Sequence, residues 1–189
     1  APTILRANSL KTSTKHLIEE LKHENVESFQ VPGFENAVQL EEKKNVFLTS
    51  AFKDGFFEVQ DAGSQKIGEF LDVKPGMRVV DACAGAGGKT LHLAALMENK
   101  GQIIAMDIHG WKLAELKRRA KRAGAHNIET REITDNKVIK RLHEKADRLL
   151  IDAPCSGLGV LKRNPDSKWK IDQDFIDRIR KEQETILQD

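Results

Sequence analysis

Cysteine is scarce: Cys83 and Cys155 are the only two in 189 residues. They lie far apart and make no disulfide framework, and neither sits in a Cys-x-x-Cys or Cys/His spacing that would hold zinc. The expectation is therefore a reducing, cytoplasmic setting and no metal site. Long apolar runs are missing as well. None approaches the roughly 20 residues needed to cross a bilayer, and the first residues carry no signal-peptide core, so no membrane partner is expected. An excess of one charge sign is also absent. Charged residues make up 32% of the chain but leave a net charge of only +2. A bulk polycation is excluded, and any nucleic-acid binding must come from local patches. There is no internal repeat and no low-complexity tract.

What is present divides in two. "TILRAN" reads as a short strand and "STKHLIEELKHEN" as a helix, with Ser13 or Thr14 as N-cap and Leu17, Ile18 and Leu21 as its apolar stripe. Pro32-Gly33 marks a turn, and "NAVQLEE" and "NVFLTSA" read as further short strands. Residues 1–62 thus form a small α+β unit. "GSQKIGEFLDV" reads as a helix that opens a second unit, residues 63–189. From "RVVDA" onward, strands alternate with helices through "KTLHLAALMEN", "QIIAMDI", "GWKLAELKRRAKRAG", "IETREI", "NKVIKRLHE" and "DRLLIDA". Gly124 is the expected C-cap of the long basic helix. Such alternation predicts parallel βαβ units and a doubly wound α/β sheet. "DQDFIDRIRKEQETILQD" reads as one more amphipathic helix, with no strand after it. A sheet of four strands leaves one half unfinished, so a portion of a larger domain is expected.

"VVDACAGAGGKT" is strand, glycine loop and helix. A phosphate-binding P-loop needs a glycine five residues before Gly88, where Cys83 stands. The dinucleotide spacing Gly-x-Gly-x-x-Gly is not met either, because Gly85, Gly87 and Gly88 are packed more tightly. A loop for S-adenosylmethionine fits best. That cofactor has no pyrophosphate, so the backbone need only approach its methionine and ribose portions. Asp81, at the strand end, offers a carboxylate to the cofactor's cationic side. Asp107 closes the next strand, roughly 20 residues on, where an acid can grip ribose hydroxyls. Asp135 follows the third strand. It could bond an adenine amino group, although by itself it reads as a solvated loop residue.

Strand four leads into "IDAPCSGLG". In a doubly wound sheet this strand is the expected neighbour of strand one, at the switch point where ligands bind. A cysteine after Asp152-Ala153-Pro154 suggests carbon chemistry. Cytosine carbon-5 is a poor nucleophile until a thiolate adds to the neighbouring ring carbon. Cys83 reads instead as a small packing residue. In "LKRNPDSKWK", Arg163 and Lys168 could meet phosphates and Trp169 could stack on a base. The second basic run, Lys117 to Arg122, reads as a solvated helix face.

Together these residues resemble the Sun family of RNA cytosine carbon-5 methyltransferases, whose bacterial members include ribosomal RNA enzymes. The resemblance rests on "LRANSLKTS", "VQDAGSQ", "DACAGAGGKT", "DAPCSGLG" and "KRNPDSKW". One departure is Ala86, where many members carry proline. The resemblance implies a Rossmann-like class I methyltransferase sheet, here its first four strands, preceded by an RNA-binding unit. It implies that Cys83, Ala84, Gly85, Ala86, Gly87, Gly88, Lys89, Asp107, Asp135 and Asp152 line an S-adenosylmethionine site. Pro154, Arg163, Lys168 and Trp169 would face the RNA, expected to be ribosomal. In this family the attacking thiolate comes from a Thr-Cys pair on a later strand, and the Pro-Cys cysteine helps release the product. No Thr-Cys pair occurs in the 189 residues, so Cys155 is expected to be the helper and this chain alone to be inactive. Two alternatives stay open: an inactive RNA-binding or assembly protein, and a DNA cytosine methyltransferase that uses Cys155 as nucleophile. The oligomeric state is left unknown.

Overall fold

A computed structural model describes residues 2–160, 166, 169 and 171–188. Two four-stranded sheets organise it. The first contains β1 (Ile4–Ala7), β2 (Ser28–Gln30), β3 (Ala37–Leu40) and β4 (Phe57–Val59), all antiparallel, in the order β2-β3-β1-β4. Helix α1 (Thr14–His23) covers one face. Leu17 and Leu21 lie one turn apart and reach the same core as Leu5, Val38 and Phe57. Ser13 is the N-cap, its side chain accepting from the His16 amide at 3.2 Å.

"NVFLTSA" is not a strand. It forms a short 3-10 turn, Val46–Leu48, and helix α2 (Ser50–Lys53). Local caps win over β-propensity here. Asn45 accepts from the Phe47 amide, and Thr49 accepts from the Phe52 amide. The Glu24 carboxylate, brought in from the end of α1, then takes the amides of Ser50 and Ala51.

The second sheet is parallel, in the order β7-β6-β5-β8. Its strands are β5 (Arg78–Asp81), β6 (Gln102–Asp107), β7 (Ile128–Glu132) and β8 (Arg148–Leu150). Helix α3 (Ala62–Phe70) precedes it. Helices α4 (Gly88–Leu96), α5 (Gly110–Ala123) and α6 (Asn136–Lys140) make the crossovers, and α7 (Gln173–Gln188) follows. Gly124 ends α5 in the left-handed conformation. Strand β6 is buried on both faces. Ile103 and Ala105 point to the Leu91–Leu93–Leu116 core, while Ile104 and Met106 point to the Val80–Leu142 side. Strand β8 pairs with β5, as the switch-point topology requires. Among the described residues, no helix is long and apolar enough to cross a membrane.

The opening segment joins the two sheets. The Asn8 amide donates both protons, one to the Gly55 carbonyl and one to the Ala123 carbonyl, each at 2.8 Å. Lys11 Nζ donates to the carbonyls of Asp54 and Arg122. The carbonyls at the end of α5, which have no intrahelical partner, are thus satisfied by the amino-terminal unit. Gly55 lies so close to this end that a Cβ there would meet the Arg122 carbonyl oxygen at 2.1 Å.

Candidate functional site

The carboxyl ends of β5 and β8 and the start of α4 frame a cavity of about 260 Å³. Asp81, Cys83, Ala84, Gly88, Lys89 and Asp152 line it from the parallel sheet. Val59, Gln60, Asp61 and Ser64 line it from the segment joining the two units. Sequence reading assigned no role to those four. "VQDAGSQ" carried only a resemblance, and nothing local shows that it would fold back over the glycine loop.

Glycine is needed in this loop for two physical reasons. Gly85 and Gly87 have φ of +54° and +89°, a region that favours glycine. A Cβ on Gly87 would also meet Leu116 Cδ1 at 2.0 Å. The loop therefore packs directly on α5, and α4 starts at the cavity lining residues Gly88 and Lys89 with no side-chain cap on its first amides.

Asp107 secures the loop from β6. One oxygen accepts from the Gly85 amide at 3.0 Å and the other from the His109 amide at 2.8 Å. Lys89, largely buried, forms an ion pair with Asp152 and so ties α4 to the loop after β8. Asp81 is buried at 1% exposure. Its Oδ2 accepts from Thr90 Oγ1 at 2.7 Å, while Oδ1 lies near the Cys83 amide without a well-formed hydrogen bond. Burial pushes its pKa up to about 6. Burial and the neighbouring acids Asp81, Asp107 and Asp152 push the Cys83 thiol up to about 11, so it is not a thiolate at neutral pH.

Asp81 makes stability depend on pH. Its carboxyl binds a proton more tightly when folded than when unfolded, so its contribution is fully present below about pH 4 and lost as pH rises through about 6. The displacement from 3.8 to about 6 corresponds to roughly 3 kcal/mol. Asp81→Asn is therefore expected to be more stable than the wild type at pH 7.5, with the difference closing towards pH 4. Urea unfolding across that range checks it. A pH-independent difference would mean that Asp81 is not buried as a charge.

A family model described as "16S rRNA methyltransferase RsmB/F" matches residues 69–189. The chain belongs to that family. A Synechocystis protein named "Probable ribosomal RNA small subunit methyltransferase B" is 39% identical over 88% of the chain. A Proteus mirabilis "Ribosomal RNA small subunit methyltransferase B" is 32% identical over 98% of it. The chain spans 38% and 44% of these two relatives. The crystal structure of NSun6 from Pyrococcus horikoshii shares the fold at a TM-score of 0.88 and 21% identity, covering 98% of this chain and 71% of that one.

Within this RsmB/F family chain, the other expected site residues divide. Gly85, Ala86, Gly87 and Asp107 do not line the cavity; the three loop residues sit in sequence between its lining residues Ala84 and Gly88, and Asp107 reaches them through the Gly85 amide. Asp135 does not line the cavity; it caps α6, accepting from the Lys137 amide at 2.8 Å. Pro154 and Cys155 are exposed on the loop after β8, and the Pro154 carbonyl accepts from Gln183 of α7. Trp169 is 80% exposed. Arg163 and Lys168 lie outside the described residues. The basic run Lys117 to Arg122 is not simply a solvated face. Arg119 and Arg122 turn inward onto Glu58, a carboxylate that is 3% exposed. A lone basic helix gives no sign of this, because the acid comes from a strand about 60 residues earlier.

Proposed function

We propose that the chain is the cofactor-binding part of an S-adenosylmethionine-dependent methyltransferase that forms 5-methylcytosine in ribosomal RNA in the cytoplasm. The observation that carries this is the cavity itself: a helix start at the end of a glycine loop shares it with two acids, Asp81 and Asp152, while a third, Asp107, holds the loop, in a family of 16S rRNA methyltransferases.

The residues fit the cofactor's charges. Its carboxylate needs donors, and Lys89 and the uncapped amides of α4 supply them. Its amino and sulfonium cations need acids, and Asp81 offers a buried oxygen without a well-formed hydrogen bond. Ribose hydroxyls need acceptors, and Asp107 Oδ2 keeps a lone pair beyond its amide bond, while Oδ1 also faces Lys112 Nζ at 3.9 Å. When bound, S-adenosylmethionine supplies an electrophilic methyl group. This chain's residues orient it at the carboxyl edge of the sheet, beside the Pro154–Cys155 loop. The small antiparallel unit, with Arg163, Lys168, Trp169 and Pro154, would hold the RNA. Cys155 would act at product release, as the resemblance implies.

The test is transfer of a labelled methyl group from S-adenosylmethionine to small-subunit rRNA by the protein carrying this chain, followed by bisulfite sequencing. A labelled cytosine that resists conversion is the expected result. Label on another base, or none despite cofactor binding, would overturn the cytosine assignment.

A further inference from the structure

We infer that Arg119 is a positioning residue for the glycine loop, and that through Glu58 it makes the amino-terminal sheet part of the cofactor site. This rests on the cofactor reading of the cavity.

The loop has little to hold it by side chains. Between Gly85 and Gly87 stands Ala86, whose methyl group makes no polar contact. Asp107 fixes the loop at one point, through the Gly85 amide. The Ala86 carbonyl is held at another, accepting from Arg119 Nη1 at 2.7 Å. The same guanidinium places Nη2 at 2.9 Å and Nε at 3.3 Å from Glu58 Oε2. Its planar fork has donors enough for both partners at once, which a lysine's point charge cannot reproduce.

Glu58 is poorly placed to move. It sits in β4, in register with Arg6 of β1, and its side chain is 4% exposed. Arg122 takes its other oxygen at 2.5 Å. A carboxylate this buried must stay paired, so its two arginines are held in turn. Strand β4 ends at Val59 and runs directly into Gln60 and Asp61, and all three wall the cavity. Whatever displaces the antiparallel sheet therefore acts on the cofactor site twice, through the wall and through Arg119 on the loop.

Arg122 supplies the control. It shares Glu58 with Arg119 but reaches no loop atom. The experiment is calorimetric titration of S-adenosylhomocysteine into the protein, with melting temperature measured in parallel, for the wild type, Arg119→Ala, Arg119→Lys, Arg122→Ala and Glu58→Gln. Arg119→Ala is expected to weaken binding by about tenfold, in the range of one lost charge-assisted hydrogen bond. Arg122→Ala is expected to lower the melting temperature comparably yet keep affinity within about twofold, the scale of a change that removes no ligand-side contact. Glu58→Gln should weaken binding too, and add little to Arg119→Ala in the double variant. Should Arg119→Ala fail to fold, Arg119→Lys decides. It retains a cation for Glu58 but not the fork, so its affinity should fall while its melting temperature stays near that of the wild type. Equal affinity losses in the Arg119 and Arg122 variants would reduce the contact to general interface packing and overturn the inference. Unchanged affinity in Arg119→Ala, or in Arg119→Lys where that variant decides, would overturn it as well. A wild type that binds no S-adenosylhomocysteine would instead overturn the cofactor reading beneath it.

Discussion

Asp107→Ala is expected to lower affinity for S-adenosylmethionine by about a hundredfold or more, since each charge-assisted hydrogen bond lost is worth about 1.5–3 kcal/mol. The carboxylate has two tasks. It accepts the amides of Gly85 and His109 and so fixes the loop's conformation. In the proposed cofactor site it would also accept from the ribose hydroxyls, at the end of the second parallel strand. Alanine removes both, whereas Asp107→Asn keeps one oxygen and the side-chain volume and should lose less. Asp107 is 8% exposed, so its loss also leaves the Gly85 amide short of a partner in a partly buried place. Calorimetry on the two variants checks this. Equal affinity for wild type and Asp107→Ala would remove Asp107 from the site.

The second large effect concerns Cys155. In the covalent route that the resemblance implies, a thiolate forms a C–S bond at cytosine carbon-6 and the methyl group adds at carbon-5. The carbon-5 proton must then leave to a base as the C–S bond breaks and the thiolate is expelled. Cys155 is exposed on the loop after β8, and Asp152 of the same loop lines the cavity. If it serves the release step, Cys155→Ser, made in a protein that also carries the Thr-Cys strand, should methylate once and stall as a protein–RNA adduct. A denaturing gel would show a slow band that survives heating in detergent. Cys83→Ser should give no such band, because the Cys83 thiol is held up at about 11 and half-buried. Loss of all adduct in Cys155→Ser would make Cys155 the nucleophile instead.

The parallel unit could be read from sequence because its signals are local. Strand and helix periods alternate, glycines mark the positive-φ positions of the loop, and an acid ends the next strand. The neighbouring of β5 and β8 also followed, because connection rules leave few other orders for such a chain. The antiparallel unit was harder. Three-residue strands such as β2 and β4 carry too little alternation to register. The helical turns after Asn45 depend partly on Glu24, which reaches them only once α1 has folded.

The sequence by itself determined the doubly wound order, the position of the glycine loop and the acid, Asp107, at the end of the next strand. These follow from backbone conformation and periodicity, which neighbouring residues set. Only the tertiary structure decided how the polar residues are used. Asn8 meets the Ala123 carbonyl across 115 positions, Glu58 neutralises two arginines of α5, and Arg119 reaches the Ala86 carbonyl. A charged side chain is solvated by default, and it is buried only where folding delivers a partner to meet its desolvation cost. That partner lies far away in the chain, so the run from Lys117 to Arg122 reads the same whether it faces water or holds the glycine loop in place.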